Sequence, residues 1–162
     1  MTKKQFLNIL ILSLLCFSIT QAQKLQIVRW PQVENILNQE SDTTFILNFW
    51  ATWCKPCVVE LPDFEQIHQD FSTQKVKVVL ISMDFVKEFS TRVVPFVEQR
   101  RLQSNVWLLN EPDANAWINK ISHEWSGAIP ATLILNNKKQ KKVFFEQKMT
   151  YQRLEKELAD FL

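Results

Sequence analysis

The chain has 162 residues, 46% hydrophobic and 22% charged, which fits one globular domain. Its net charge of +2 is too small to indicate a nucleic-acid partner. It contains a single glycine, Gly127, whereas dinucleotide- and phosphate-binding loops need several residues without a Cβ atom, so nucleotide chemistry by those loops is excluded.

The first 22 residues have the pattern of a secretory signal peptide. Two lysines precede an apolar run from Phe6 to Ile19, and the small residue Ala22 ends the segment. An uncleaved membrane anchor is the weaker alternative, because a helix of this length spans only about 21 Å of a ~30 Å bilayer core. We therefore predict a signal peptide at 1–22, a domain at 23–162 and export to the periplasm or cell envelope.

The rest of the chain alternates between helix-like and strand-like segments. Apolar residues three and four apart predict helices, and continuous apolar runs predict buried strands. The predicted helices cover 30–38, 56–71, 88–101 with a bend near Pro95, 113–121 and 151–161; the predicted strands cover 44–50, 76–82, 105–109, 131–135 and 142–145. This order predicts an α/β fold, a three-layer sandwich with a mixed central sheet flanked by helices.

Two cysteines, Cys54 and Cys57, remain after removal of the predicted signal peptide, which contains Cys16. A disulfide between them closes almost no loop, so it would remove little chain entropy as a structural bridge. A zinc site would need two further ligands, and the histidines His68 and His123 are not paired in the sequence. The spacing therefore favours a reactive pair over a structural disulfide or a metal site.

Cys54 falls where the predicted strand ends and the helix begins. Free backbone N–H groups and the positive end of the helix dipole stabilise a thiolate there, with pKa values of ~3.5–7.5 in such settings. Lys55 adds a positive charge, and Pro56 fits the first helical turn, where its missing N–H costs nothing. Cys57 follows one turn later and could attack a mixed disulfide formed on Cys54.

The motif Trp-Cys-Lys-Pro-Cys at 53–57, with Ile129-Pro130 before a later strand, resembles the thioredoxin fold. At Asn48, in the buried strand, and at Glu60, three residues after the second cysteine, the chain resembles the exported TlpA/ResA-like thiol–disulfide oxidoreductases. The resemblance covers roughly residues 30–162 and implies a thioredoxin-like domain over essentially the whole mature chain.

The resemblance also implies roles for single residues. Cys54 would be the nucleophile and Cys57 the resolving thiol. Glu60 would be an acid that sets thiol pKa values and relays protons. The alternative for Glu60 is an exposed glutamate of the first helical turn, which is favourable there only because it interacts with the helix dipole. Pro130 would be a cis proline facing the cysteines, and the alternative is a trans proline that opens a strand. The residues expected to bind substrate are Trp53, Lys55, Pro56, Ile129 and Pro130.

The chain departs from the family where glycine is usual. Asn136 and Asn137, residues that tolerate positive φ angles, occupy the turn after the strand at 131–135. Gln147 and Lys148 occupy the approach to the last helix. Trp125 and Ser126, in the loop before Pro130, are further candidates for the substrate groove.

The function implied is an exported protein disulfide reductase that acts on disulfide-bearing client proteins. A membrane thiol-electron donor would re-reduce the cysteine pair, and no metal, organic cofactor or nucleic acid is required. ResA-like relatives serve cytochrome c maturation, which makes apocytochrome cysteines one class of client. The alternatives are a disulfide donor or isomerase using the same pair, a binding module with an incidental dithiol, and a peroxidase.

Overall fold

The computed structural model describes residues 25–162, so the predicted signal peptide and Cys16 lie outside the described part. Six strands form one sheet in the order β1-β4-β3-β2-β5-β6. They are β1 (Leu25–Val28), β2 (Thr44–Trp50), β3 (Val76–Ser82), β4 (Asn105–Leu109), β5 (Ala131–Asn136) and β6 (Lys141–Phe145). The first four strands of this order are parallel, whereas β5 and β6 each pair antiparallel, so the sheet is mixed as predicted.

Helices cover both faces of the sheet. They are α1 (Trp30–Asn38), α2 (Lys55–Asp70), α3 (Val94–Arg100), α4 (Ile118–Ile121) and α5 (Tyr151–Leu158). Successive residues of a strand point to opposite faces, so Ile46 of β2 belongs to the core beneath α2 and α5, and Leu47 to the core beneath α1 and α4. Every residue of β2 is buried, which places the end of this central strand deep in the sandwich. The predicted α/β sandwich is confirmed.

Two predicted helices are interrupted. In place of one helix over 88–101, a 3₁₀ turn (Val86–Glu88) and a π-helical turn (Phe89–Val93) precede α3. The N–H of Val94 bonds to the carbonyl of Phe89, five residues back, and Pro95 has no N–H with which to continue the ladder at that point. The helix predicted over 113–121 is likewise split, into a 3₁₀ turn (Ala114–Ala116) and α4.

The edge strand β1 was not predicted. Most other boundaries agree with the prediction, and outside the two interrupted helices those that differ moved by one to three residues. In β1 only Val28 is fully buried, so the strand lacks the apolar run that marks the central strands. The residue with positive φ in the turn after β5 is Gln140, at 53°, whereas Asn136 and Asn137, which tolerate such angles, do not adopt them. The asparagine side chains instead make hydrogen bonds: Asn137 Nδ2 donates to the carbonyls of Ile36 and Gln39 at the end of α1.

Candidate active site

Cys54 and Cys57 form a disulfide at the junction of β2 and α2, with their Cα atoms 5.3 Å apart. Cys54 is the N-cap residue of α2, and its Sγ accepts a hydrogen bond from the backbone N–H of Cys57 at 3.4 Å. Cys54 is 6% exposed, whereas Cys57 is completely buried. The sulfur that an approaching molecule can reach is therefore the one to which a helix N–H group points.

The segment before Cys54 is fixed by a buried carboxylate that the sequence did not indicate. Asp84, just after β3, accepts hydrogen bonds from the backbone N–H and the hydroxyl of Thr52, at 3.0 and 2.6 Å. It also accepts one from the hydroxyl of Ser82, at 2.8 Å. Since β2 and β3 are parallel neighbours, their carboxyl ends meet at one sheet edge, and that adjacency is the signal that could have identified Asp84.

The loop that ends at Pro130 lies against the cysteine pair. The Ile129–Pro130 peptide bond is cis, as the resemblance implied. The Sγ atom of Cys54 lies 3.8 Å from the carbonyl oxygen of Ile129. Two segments 75 residues apart in sequence thus meet at the reactive sulfur.

Glu60 is completely buried on the inner side of α2, so the alternative of an exposed glutamate is wrong. Its Oε1 accepts a hydrogen bond from Asn48 Nδ2 at 2.8 Å, and its Oε2 accepts one from the backbone N–H of Met149 at 2.7 Å. Asn48 Nδ2 also donates to the hydroxyl of Thr132 at 3.2 Å. Burial raises the pKa of Glu60 to about 7, although the hydrogen bonds from Met149 and Asn48 lower it. A carboxyl group that titrates near neutral pH therefore lies one helical turn beyond Cys57.

The residues predicted to bind substrate differ in how exposed they are. Trp53 is 58% exposed, Lys55 and Pro56 are also exposed, Ile129 is half-buried and Pro130 is buried. Phe85, 66% exposed and next to Asp84, is an apolar side chain that the sequence analysis missed.

Trp125, one of the further groove candidates, is buried. Its ring lies 4.6 Å from that of Phe49, between centroids, and its Nε1 donates to the carbonyl of Ala128 at 2.8 Å. It supports the loop from inside, and Ser126 is exposed beside it.

No cluster of three or more His, Cys, Asp or Glu side chains within residues 25–162 has the arrangement of a metal site. Within the same residues, none of the helices combines the length and the apolar character needed to cross a bilayer.

Residues 21–142 match the model of the AhpC/TSA family. The chain belongs to this family. It is 32% identical to the thioredoxin-like protein YneN of Bacillus subtilis over 93 residues, which are 57% of this chain and 50% of YneN. It is 41% identical to the thiol–disulfide oxidoreductase ResA of Oceanobacillus iheyensis over 39 residues, 24% of this chain and 20% of ResA. The matched region thus spans half or less of these relatives' own length.

Among solved structures, the crystal structure of StoA from Bacillus subtilis is similar to this member of the AhpC/TSA family. It has a TM-score of 0.55 and 26% identity, and the similarity covers 75% of this chain and 84% of StoA. The predicted resemblance to thioredoxin-fold, ResA-like proteins is confirmed. Together with the Cys54–Cys57 disulfide, it supports thiol–disulfide exchange as the chemistry of this site.

Proposed function

We propose that the protein is an exported thiol–disulfide oxidoreductase that reduces disulfides in envelope client proteins through Cys54 and Cys57. The observation that carries the proposal is the asymmetry of the pair: Cys54 keeps a small exposed area, 6%, and has a helix N–H directed at its sulfur, whereas Cys57 is completely buried. A sulfur anion on Cys54 is stabilised in this position and is accessible to a client disulfide.

In the first step, the reduced Cys54 thiolate attacks one sulfur of the client disulfide. The client S–S bond breaks, a mixed disulfide forms, and the other client sulfur leaves as a thiolate that takes up a proton. Cys57 then loses its proton and attacks Cys54 Sγ, so that the second client sulfur leaves. The client has gained two electrons, and the protein is left with the Cys54–Cys57 disulfide described above.

Glu60 is our candidate for the proton acceptor of Cys57. Both groups are completely buried in α2, three residues apart, so they lie one turn from each other along the helix. Because the pKa of Glu60 is raised to about 7 by burial, its carboxylate can take up and release a proton near neutral pH.

Client proteins would bind across the exposed surface around Cys54. Trp53 supplies an apolar area beside the sulfur, and Lys55 and Pro56 border it. The backbone of Ile129, whose carbonyl faces Cys54 Sγ, would pair with an extended client segment next to its disulfide. Pro130 would fix the direction of that backbone.

The proposal of export is based on the pattern of residues 1–22, with its two lysines, apolar run and small terminal residue. Outside the cytoplasm, each turnover leaves a disulfide that must be reduced again. A membrane protein that passes two electrons from cytoplasmic thiols is the class of donor we propose.

A trapping experiment tests this function. In the Cys57→Ser variant, expressed in its own cell envelope, the mixed disulfide on Cys54 cannot be resolved. We expect client proteins linked to Cys54 that are released by dithiothreitol. The matched control is the Cys54→Ser, Cys57→Ser double variant, which lacks the nucleophile. If the two variants capture the same proteins, or if neither captures any, the proposal is wrong.

A redox titration against glutathione tests the direction of transfer. A reductant should have a potential closer to the ~−270 mV of thioredoxin than to the ~−120 mV of a strong oxidant such as DsbA. A value at the oxidising end would assign the pair to a disulfide donor instead.

A further inference from the structure

A second carboxylate, outside the cysteine motif, holds the loop that leads to Ile129. Glu146, which follows β6, accepts hydrogen bonds from the backbone N–H of Ser126 at 3.1 Å and from that of Ala128 at 3.0 Å. The hydroxyl of Ser126 donates to it as well. Three donors of one short loop therefore converge on a single side chain from another part of the chain.

The backbone conformation of this loop allows the N–H groups of Ser126 and Ala128 to point to the same carboxylate. Gly127, the one glycine of the sequence, lies between the two N–H donors and has a φ angle of +94°. A side chain is strained at that angle, so glycine allows both flanking N–H groups to point to the same carboxylate. A Cβ atom on Gly127 would also lie 3.3 Å from Ile118 Cδ1.

The loop is held from the inside too. The buried Trp125 donates from Nε1 to the carbonyl of Ala128, while Glu146 binds the N–H of the same residue. The peptide units on both sides of Ala128 are thus fixed, and the next residue is Ile129. Its carbonyl is the group that faces Cys54 Sγ.

We propose that Glu146 is a positioning residue for client binding: it orients the backbone of Ile129 so that an extended client segment can pair with it beside Cys54. The inference rests on the proposed function, and it adds a determinant of affinity for protein clients that lies outside the cysteine motif. Hydrogen bonds from Ser126 hold the pKa of Glu146 below its usual value, so the carboxylate stays ionised at neutral pH. Charge-assisted hydrogen bonds of this kind are about twice as strong as neutral ones.

The role predicts a difference between two kinds of substrate. A protein disulfide needs both Cys54 and the Ile129 backbone, whereas a small aromatic disulfide needs only the sulfur. Loss of the Glu146 carboxylate should therefore raise KM for the protein and leave reaction with the small molecule nearly unchanged. A merely stabilising role would change both reactions alike or neither.

The test measures turnover of insulin with dithiothreitol as the reductant, and the single reaction of the pre-reduced protein with 5,5′-dithiobis(2-nitrobenzoic acid), for the protein carrying Glu146→Gln, Glu146→Ala or Ser126→Ala. We expect KM for insulin to rise about tenfold in Glu146→Ala, equivalent to ~1.4 kcal/mol, with kcat and the small-disulfide rate within about twofold of the wild type. Ser126→Ala keeps both N–H donors and should have the smallest effect. Glu124→Gln, an exposed glutamate in the same loop, is the matched control and should behave as the wild type.

Amide hydrogen exchange gives a readout that does not depend on activity. The amides of Ser126 and Ala128 should exchange about tenfold faster in Glu146→Gln than in the wild type if the carboxylate holds them in solution. A wild type that reduces neither disulfide would overturn the proposed function and this inference with it. A wild type active on both disulfides, with Glu146→Ala altered on neither or on both equally, would overturn this inference alone.

Discussion

Replacing Glu60 by glutamine should change how the stability of the folded protein depends on pH. Glutamine has nearly the same size as glutamate but does not titrate. In the wild type, burial raises the pKa of Glu60 from 4.5 to about 7. At ~1.36 kcal/mol for each pH unit, the ionised carboxylate destabilises the folded state by about 3 kcal/mol.

The sign of the effect follows from proton binding. Below the ordinary pKa, Glu60 is protonated in both the folded and the unfolded states and contributes no pH dependence. Between 4.5 and about 7 the folded state binds more protons, so the free energy of unfolding falls as the pH rises. Above the folded-state pKa the full loss of about 3 kcal/mol is present.

The assay is guanidinium unfolding of the oxidised wild type and of Glu60→Gln from about pH 4 to about pH 8. The oxidised form is used because disulfide-bonded cysteines do not titrate. As the pH rises over this range, the free energy of unfolding of the wild type should fall by about 3 kcal/mol relative to that of Glu60→Gln. Any constant cost of the glutamine amide beside Met149 cancels in the slope. Glu124→Gln, at an exposed site, should track the wild type. A difference between wild type and Glu60→Gln that does not change with pH would refute the reasoning.

Two further substitutions test the hydrogen bonds and the core packing around the site, and a third serves as a control. Asp84→Ala leaves the N–H and hydroxyl of Thr52 and the hydroxyl of Ser82 without their acceptor, and should lower the free energy of unfolding by about 2–3 kcal/mol, measured by urea unfolding. Phe64→Ala, at a completely buried position of α2, should cost about 3–5 kcal/mol in the same assay, whereas Val59→Ala, 56% exposed on that helix, should cost less than about 0.5 kcal/mol. Equal losses at Phe64 and Val59 would contradict the assigned core.

The central strands could be predicted to the residue because their sequence pattern has one cause. β2 and β3 are covered on both faces, so five of the seven positions in each strand are apolar and this apolar run marks the strand in the sequence. At the edge of the sheet this pattern is missing, because only Val28 of the four residues of β1 is buried. The π-helical turn before α3 depends on the hydrogen bond from the Val94 N–H to the Phe89 carbonyl and on the missing N–H of Pro95, neither of which apolar spacing records.

The site divides in the same way. Cys54, Cys57 and Pro130 could be predicted because the chemistry of the pair and the resemblance both depend on short stretches of consecutive residues. The burial of Glu60 could not, because it depends on Asn48 and Met149, which are 12 and 89 residues away. The positions of Asp84 and Glu146 depend likewise on contacts between strand ends and loops.

The near absence of glycine explains why so many of these contacts involve side chains. A turn rich in glycine reaches its shape through backbone freedom, whereas here Asn136 and Asn137 hold the turn between β5 and β6 by hydrogen bonds to neighbouring segments. Glu146 does the same for the loop before Pro130, in which Gly127 has a φ angle of +94°. Turns held by side chains lose their shape when a single acceptor is removed. The loop geometry around Cys54 should therefore be sensitive to substitution of Glu146 or Asp84, which supply the acceptors, as well as to substitution of Gly127, where a side chain would be strained.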